Sequence, residues 1–284
     1  MMREAQPRDI PALRAFLERH IETSMFLLGN LEAHGLGSNH DHATRYFLCH
    51  DDDEITGVFG VTRGGFLMCQ MPGLTQREAR AFVRALNGSS VRGMTGASEQ
   101  VLAVLAALAI PSERWQFSDT QPLYGVRCAA LPEDDAVILR RADEADRGLL
   151  EGWFTALGLE TGLAAGEAAV ADGRERTEAA IGSDRFVLMI EDGRPVAMSA
   201  INARAGDAAQ VGGVFVPPDL RGAGRAGRIV ARQLRDLRAS GIERAILFAA
   251  SDSAAKAYER IGFGRLGEYR VAMLKDSVTL GRAA

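Results

Sequence analysis

The chain has 284 residues, a length that suits two ordinary domains better than one large core. Its 47% hydrophobic and 25% charged content is that of a globular protein, and a net charge of -4 points away from nucleic acid or an anionic membrane as partner. Three scattered cysteines (Cys49, Cys69 and Cys128) do not make a disulfide framework or a zinc ribbon, and no apolar run reaches the ~18 residues of a bilayer span. The first seven residues carry an acid and no apolar stretch of the kind a secretory signal needs, so a reduced, cytoplasmic setting is the expectation.

Taken in chain order, residues 10–20 and 24–34 have helical apolar spacing, the first opened by Pro7-Arg8-Asp9. Short apolar runs at 46–49, 55–62 and 65–71 predict three strands, with Asp51-Asp52-Asp53 and Arg63-Gly64-Gly65 as turns. A helix at 75–86, a strand at 91–94, a helix at 99–108 and a strand pair within 115–128 complete this half. The second half repeats the order. A strand is expected at 137–140, helices at 143–157 and 167–181, and strands at 186–191, 195–203 and 209–216, with Asp192-Gly193 turning a hairpin. A long helix at 224–239 closed by Ser240-Gly241, a strand at 244–249, a helix at 253–261 and a strand at 267–274 follow. The polar, proline-led Pro132-Glu133-Asp134-Asp135 is the expected linker. The resulting fold class is α+β, as two tandem copies of one fold over 1–131 and 132–284, each a mixed, mostly antiparallel sheet flanked by helices. One large irregular domain is the alternative.

The stretch that carries chemistry is Val214-Phe215-Val216-Pro217-Pro218-Asp219-Leu220-Arg221-Gly222-Ala223-Gly224-Arg225-Ala226. A strand ends at a proline pair, and an Arg-Gly-x-Gly-x-Ala loop opens a helix. Glycines at 222 and 224 permit positive φ and close approach of a ligand to the backbone. The unpaired amides of the first helical turn, aided by the helix dipole, favour a pyrophosphate. The loop lacks the Gly-Lys-Ser/Thr ending of an ATP-binding P-loop and the acidic residue of a dinucleotide fold.

This stretch resembles the cofactor motif of the GNAT superfamily (Gcn5-related N-acetyltransferases), Arg/Gln-x-x-Gly-x-Gly/Ala, which falls here on Arg221, Gly224 and Ala226. The family's next signature, Asn-x-x-Ala-x-x-x-Tyr-x-x-x-Gly-Phe, is matched by Ala254, Tyr258, Gly262 and Phe263, with Ser251 where asparagine is usual. The resemblance covers roughly residues 137–275; the first half shares only the order of elements. It implies transfer of an acetyl or other short acyl group from acetyl-CoA to an amine by direct attack on the thioester. Val214 and Val216 would offer backbone groups to the pantetheine arm, a backbone amide near Phe215 would stabilise the oxyanion, and Arg221, Gly222, Ala223, Gly224, Arg225 and Ala226 would hold the phosphates, with Ser251 also on the cofactor side. Tyr258 would protonate the departing thiolate. A half-buried tyrosine that only packs on the sheet is the structural alternative.

At the strand position where the family often carries a glutamate base stands Gln210, and Asp207 and Glu160 are the nearest acids, so the base is unassigned. Arg225, Arg228, Arg232 and Arg235 share one face of the long helix, read as a solvated basic face or as a contact for the adenosine 3′-phosphate. Ala226, Val230, Leu234 and Leu237 form the apolar stripe. His34, His40, His42, Cys49 and His50 cluster near acids, yet their spacing matches no familiar metal site, so no metal is expected. The first half has only Pro72-Gly73-Leu74 where the repeat would carry a phosphate loop. It is expected to be a degenerate copy that shapes the acceptor site or forms a homodimer contact. A CoA-binding sensor or scaffold without turnover is the alternative function, with Gln210 in its favour and Tyr258 against it.

Overall fold

The computed structural model describes residues 2–52 and 54–281 of the chain. Asp53, the last residue of the expected Asp51-Asp52-Asp53 turn, lies outside them. In chain order the elements are β1 (Met2–Glu4), α1 (Ile10–Arg19), α2 (Ile21–His34), β2 (Thr44–Asp51), β3 (Glu54–Thr62), β4 (Phe66–Gln70), α3 (Gln76–Ala85), β5 (Ser90–Ala97), α4 (Ser98–Leu108) and β6 (Trp115–Arg127). Then come β7 (Ile138–Arg140), α5 (Arg147–Thr161), α6 (Gly166–Ala180), β8 (Phe186–Glu191), β9 (Arg194–Ala205), β10 (Ala208–Phe215), α7 (Arg225–Leu237), β11 (Arg244–Phe248), α8 (Asp252–Glu259) and β12 (Gly264–Thr279). Both halves run strand, two helices, three strands, helix, strand, helix, strand. The fold is α+β, as two tandem copies of one arrangement of elements. The strand pair expected within 115–128 is a single thirteen-residue strand, β6, which runs unbroken through Pro122 and Gly125.

Two compact units form, and their boundaries differ from 1–131 and 132–284. One holds the chain up to Gln121 together with the segment from Gly267; the other is Pro122–Leu266. The reason is an exchange of terminal strands. In the first unit β1, β2, β3 and β4 run antiparallel in sequence, β4 and β5 are parallel, and β12 pairs antiparallel with β5, Tyr269 opposite Ala97 and Met273 opposite Gly93. In the second, β7, β8, β9 and β10 are antiparallel, β10 and β11 are parallel, and β6 pairs antiparallel with β11, Leu247 opposite Tyr124. The last strand of each half thus completes the sheet of the other unit.

The first unit packs α3 and α4 on its sheet through Phe47, Phe59, Phe82, Leu86 and Met94, with the Phe59 and Phe82 rings stacked at 4.5 Å. Fully burying one such side chain contributes about 1.5–3 kcal/mol. The second has a core on each face of its sheet. On one, Ile229, Val230 and Leu234 of α7 meet Val211, Leu247 and Tyr258; on the other, Leu150, Trp153 and Phe154 of α5 meet Phe186, Met198 and Phe215. Buried Gln233 fastens α7 to β9: it accepts from the Ser199 hydroxyl at 2.7 Å and donates to the Arg185 carbonyl at 3.3 Å.

Candidate functional site

The parallel pairing of β10 with β11 spans only Ala208–Val211; beyond it β10 pairs with β9 alone, through Gly212 and Phe215. Between those two residues β10 uses three steps where β9, from Ala200 to Met198, uses two, so the strand bulges. Gly213 sits in the bulge at φ 59, in the left-handed region that glycine adopts without strain. A side chain at Gly212 would collide with Asn202, whose amide nitrogen lies 2.0 Å from the Cβ position. The adjacent glycines in the 209–216 strand are the sequence signal for this bulge. Val214 is half-buried, Phe215 and Val216 are buried, and the chain leaves β10 here for the phosphate-type loop.

In that loop Gly222 and Gly224 have φ of 88 and 72, and open space surrounds both. Gly224 is the N-cap of α7 and brings no side-chain cap, so the amides of the first turn are left to another acceptor. The exposed Ala223 lies between the two glycines, and Ala226 is half-buried in the first turn. The corresponding helix of the first unit, α3, is sealed by its own side chains. Thr75 accepts from the Glu78 amide while the Glu78 carboxylate takes the Thr75 amide at 2.9 Å and its hydroxyl at 2.6 Å.

The arginines expected around the phosphates are held by carboxylates and carbonyls. Arg221 donates through Nη2 to both Glu160 oxygens, at 2.9 and 2.8 Å, and through Nε to the Val216 carbonyl at 2.9 Å, its guanidinium 5.7 Å from the Phe215 ring centre. Arg225 donates to Glu191 at 2.8 and 2.6 Å and to the Leu220 carbonyl at 2.6 Å, which folds the loop back on its own helix. Arg228 bonds Asp134 at 2.8 Å and Glu191 at 3.2 Å, and Arg235 lies 3.5 Å from Glu133. The basic face of α7 is therefore paired rather than simply solvated, and the acidic stretch expected as a linker docks along it. Glu191 is the residue that sequence reasoning missed here.

Tyr258 projects from α8 into the same core as Val216, Ile229 and Val230. Its ring is buried, 6.0 Å from that of Phe263, and among the described residues its hydroxyl has no hydrogen-bond partner. Burial pushes the phenol well above its ordinary value, so it stays protonated at neutral pH. Helix α8 approaches α7 at Gly227, where a Cβ would lie 3.1 Å from the Ala257 carbonyl oxygen. Ser251 caps α8, its hydroxyl accepting from the Ala254 amide at 3.2 Å.

The two acids weighed as bases are both ion-paired, Glu160 with Arg221 and Asp207 with Arg244 at 2.9 Å. Gln210 is buried; its amide nitrogen donates to the Val211 carbonyl at 2.6 Å, and its carbonyl oxygen has no partner among the described residues. In the first unit the rings of His34 and His40 stack at 4.2 Å with His42 alongside, and among the described residues no group of His, Cys, Asp or Glu is arranged to hold a metal ion. No helix among the described residues is long and apolar enough to cross a membrane.

Residues 163–266 match the family model described as "Acetyltransferase (GNAT) domain" and end where the second compact unit ends. No curated protein matches the chain. Among solved structures, a GCN5-related N-acetyltransferase from Kribbella flavida is similar over 90% of this chain and 95% of its own, at 18% identity and a TM-score of 0.54. A GCN5-related N-acetyltransferase from Sphaerobacter thermophilus is similar over 100% and 97%, at 14% identity and a TM-score of 0.52. A Drosophila protein is similar over 99% of both chains, at 11% identity and a TM-score of 0.62. Identities this low speak for the fold alone, and that fold extends across both halves. The family model thus identifies residues 163–266, which carry the uncapped glycine loop and Tyr258, as a GNAT acetyltransferase domain, and the solved structures share the fold of the whole chain.

Proposed function

We propose that this chain is an N-acetyltransferase that moves the acetyl group of acetyl-CoA to an amine acceptor, with the donor bound by the second unit. The observation that carries this reading is the uncapped N-terminus of α7, preceded by Gly222 and Gly224 at positive φ and fed by the stretch of β10 that has left β11. Such a terminus attracts a pyrophosphate, and backbone groups of Val214 and Val216 suit an extended arm that pairs along the strand. The Val216 carbonyl already accepts from Arg221, so its amide is the group left for the arm. Phosphate contact falls to the amides of Gly222, Ala223, Gly224, Arg225 and Ala226, because the guanidinium groups of Arg221 and Arg225 are engaged by Glu160 and Glu191.

A neutral amine attacks the thioester carbonyl and a C–N bond forms. An amide near Phe215 steadies the oxyanion. Its collapse breaks the C–S bond, the sulfur takes a proton from the Tyr258 hydroxyl, and the nitrogen loses its proton to solvent. Tyr258 suits this role because it is protonated and its hydroxyl is not committed elsewhere. The first half, 1–131, is a degenerate copy in this reading, since the Thr75–Glu78 capping box occupies the helix terminus that a phosphate would need. A second reading, a CoA sensor without turnover, draws on Gln210 and on the pairing of both nearby acids.

Calorimetric titration with acetyl-CoA and CoA tests the site. One site per chain in the wild type, lost in an Arg221→Glu/Gly224→Asp double variant, is the expected result. Two sites per chain would overturn the degenerate first half, and no binding would overturn the transferase.

A further inference from the structure

On the α5/α6 face of the second unit a pocket of about 220 Å³ opens. It has room for the head of one small molecule. Phe154, Arg176, Ser183, Arg185, Phe186 and Asn202 give it its chemistry, and no carboxylate lines it.

Three observations set it apart from an ordinary surface recess. The first is its position against the β10 bulge. Arg176 Nη2 lies 3.7 Å, and a Phe154 ring carbon 3.9 Å, from the place a Cβ on Gly213 would take, and Asn202 packs directly on Gly212. The second is that Arg176 is held in place: its guanidinium lies 4.8 Å from the Phe154 ring centre, with Asp172 at 3.7 Å. The third is that Arg185 contributes a second guanidinium with no ion-pair partner among the described residues. Its neighbour Asp184 is drawn instead to Arg204 at 3.6 Å. The backbone beneath it is fixed, since the Arg185 carbonyl accepts from the Ile201 amide at 2.8 Å and from Gln233.

Two arginines lining a cavity with no acid among its described lining residues make a receptor for a planar anion, and a carboxylate matches their forked donors. Ser183 and Asn202 supply neutral donors beside them, and Phe154 and Phe186 supply apolar wall. We propose that Arg176 and Arg185 bind the carboxylate of the acyl acceptor, so that the amines acylated belong to small amino acids and related amine-bearing carboxylic acids. This rests on the acetyltransferase reading. The same two cations lower the pKa of an ammonium brought near them, which favours the neutral amine in a site whose strand carries Gln210 in place of a carboxylate. They also repel polyamines and other acceptors whose charge is only positive.

The test uses the full chain and measures thiol release from acetyl-CoA with matched sets: an amino acid, its amide and its decarboxylated amine. The amino acid is expected to lead in kcat/KM by at least about tenfold. Arg176→Gln and Arg185→Gln should each raise its KM by about tenfold and shrink its lead over the amide to within about twofold. Equal turnover of all three acceptors would overturn the assignment while leaving the transferase intact. A parallel arm titrates N-acetyl amino acids and their amides into the protein with CoA present. Preference for the acid, lost in Arg185→Gln, supports the pocket even if no acceptor turns over, an outcome that would sink the transferase alone. Binding of neither, or of both equally, overturns the pocket. Arg185 is exposed, so its variant leaves folding undisturbed.

Discussion

One nitrogen of Arg221 is bonded to both carboxylate oxygens of Glu160, sixty-one residues earlier in the chain, at 2.9 and 2.8 Å. The first residue of the glycine loop is thereby tied to the end of α5. Both partners are more than two-fifths exposed, so the pair contributes about 1 kcal/mol or less. Glu160→Gln should leave the melting temperature nearly unchanged. It should tighten CoA binding by up to about fivefold, as it frees a cation beside the phosphates. Weaker binding would mean that the pair orders the loop rather than competes with the ligand.

Tyr258→Phe removes a hydroxyl that has no partner, so thermal stability should hold. If Tyr258 is the acid, kcat falls by about 10²–10⁴-fold while the Kd for CoA is unchanged. A sensor would show the same Kd and no activity to lose.

Burial raises the Tyr258 pKa, so the hydroxyl remains protonated up to about pH 10, the ordinary value for a free phenol. Its contribution to stability is constant below that pH and is lost as pH climbs above it. The pH profile of kcat/KM should rise about tenfold per unit toward the pKa of the acceptor amine, with no falling limb below about pH 9.5. A falling limb centred near pH 8 would assign the proton donor elsewhere.

Gly227 sets two effects against each other. Alanine there would gain about 1 kcal/mol in helix propensity. Its methyl would stand 3.1 Å from both the Ala257 carbonyl oxygen and the Ile261 side chain, and overpacking of this kind costs about 1–3 kcal/mol. Because one of the neighbours is backbone, the clash should win by about 1 kcal/mol. Denaturant unfolding of Gly227→Ala checks this, and unchanged or increased stability would show that α8 can yield.

Asp146 is 6% exposed, takes two bonds from Arg140 at 2.6 and 2.7 Å, and accepts the Asp143 amide at 3.0 Å. The bonds from Arg140, foremost, hold its pKa below the usual carboxylate range. The stability this supplies is present above the unfolded value near 3.9 and is lost as pH falls through the folded one. Asp146→Asn should cost about 2 kcal/mol at pH 7, and the gap from wild type should begin to narrow below about pH 4 in urea unfolding. A gap that does not narrow at all as pH falls from about 4 to about 2 would mean that packing, not charge, is what the asparagine disturbs.

The loop from Arg221 to Ala226, its helix, and the Tyr258-to-Phe263 run were legible because each is a local device: glycine dihedrals, a helix start and a fixed helical spacing all lie within a dozen residues. The exchanged strands were not. β12 and β6 have ordinary strand patterns, and nothing local to Tyr269 says that its partner is Ala97. The arginine face of α7 was visible, but the ligands that tie it, Glu191 and the 133–135 acids, come from distant segments. The same holds for the pocket: Phe154, Arg176, Arg185 and Asn202 are brought together only when α5, α6 and β9 pack. The Gly212-Gly213 pair is a different kind of miss, a local signal that period-two reading of the strand passed over.

The crossed terminal strands bear on what can be cut from this gene. A scissor placed at the acidic stretch would release a fragment 1–131 lacking the partner of β5, and a fragment 132–284 whose β11 has lost β6. Neither piece is a self-sufficient protein, since each would carry a raw hydrogen-bonding edge and a stray strand, both invitations to aggregate. The first half is thus an obligate co-tenant, whatever it binds: deleting it would strip the second unit of a strand that the rest of the chain does not encode.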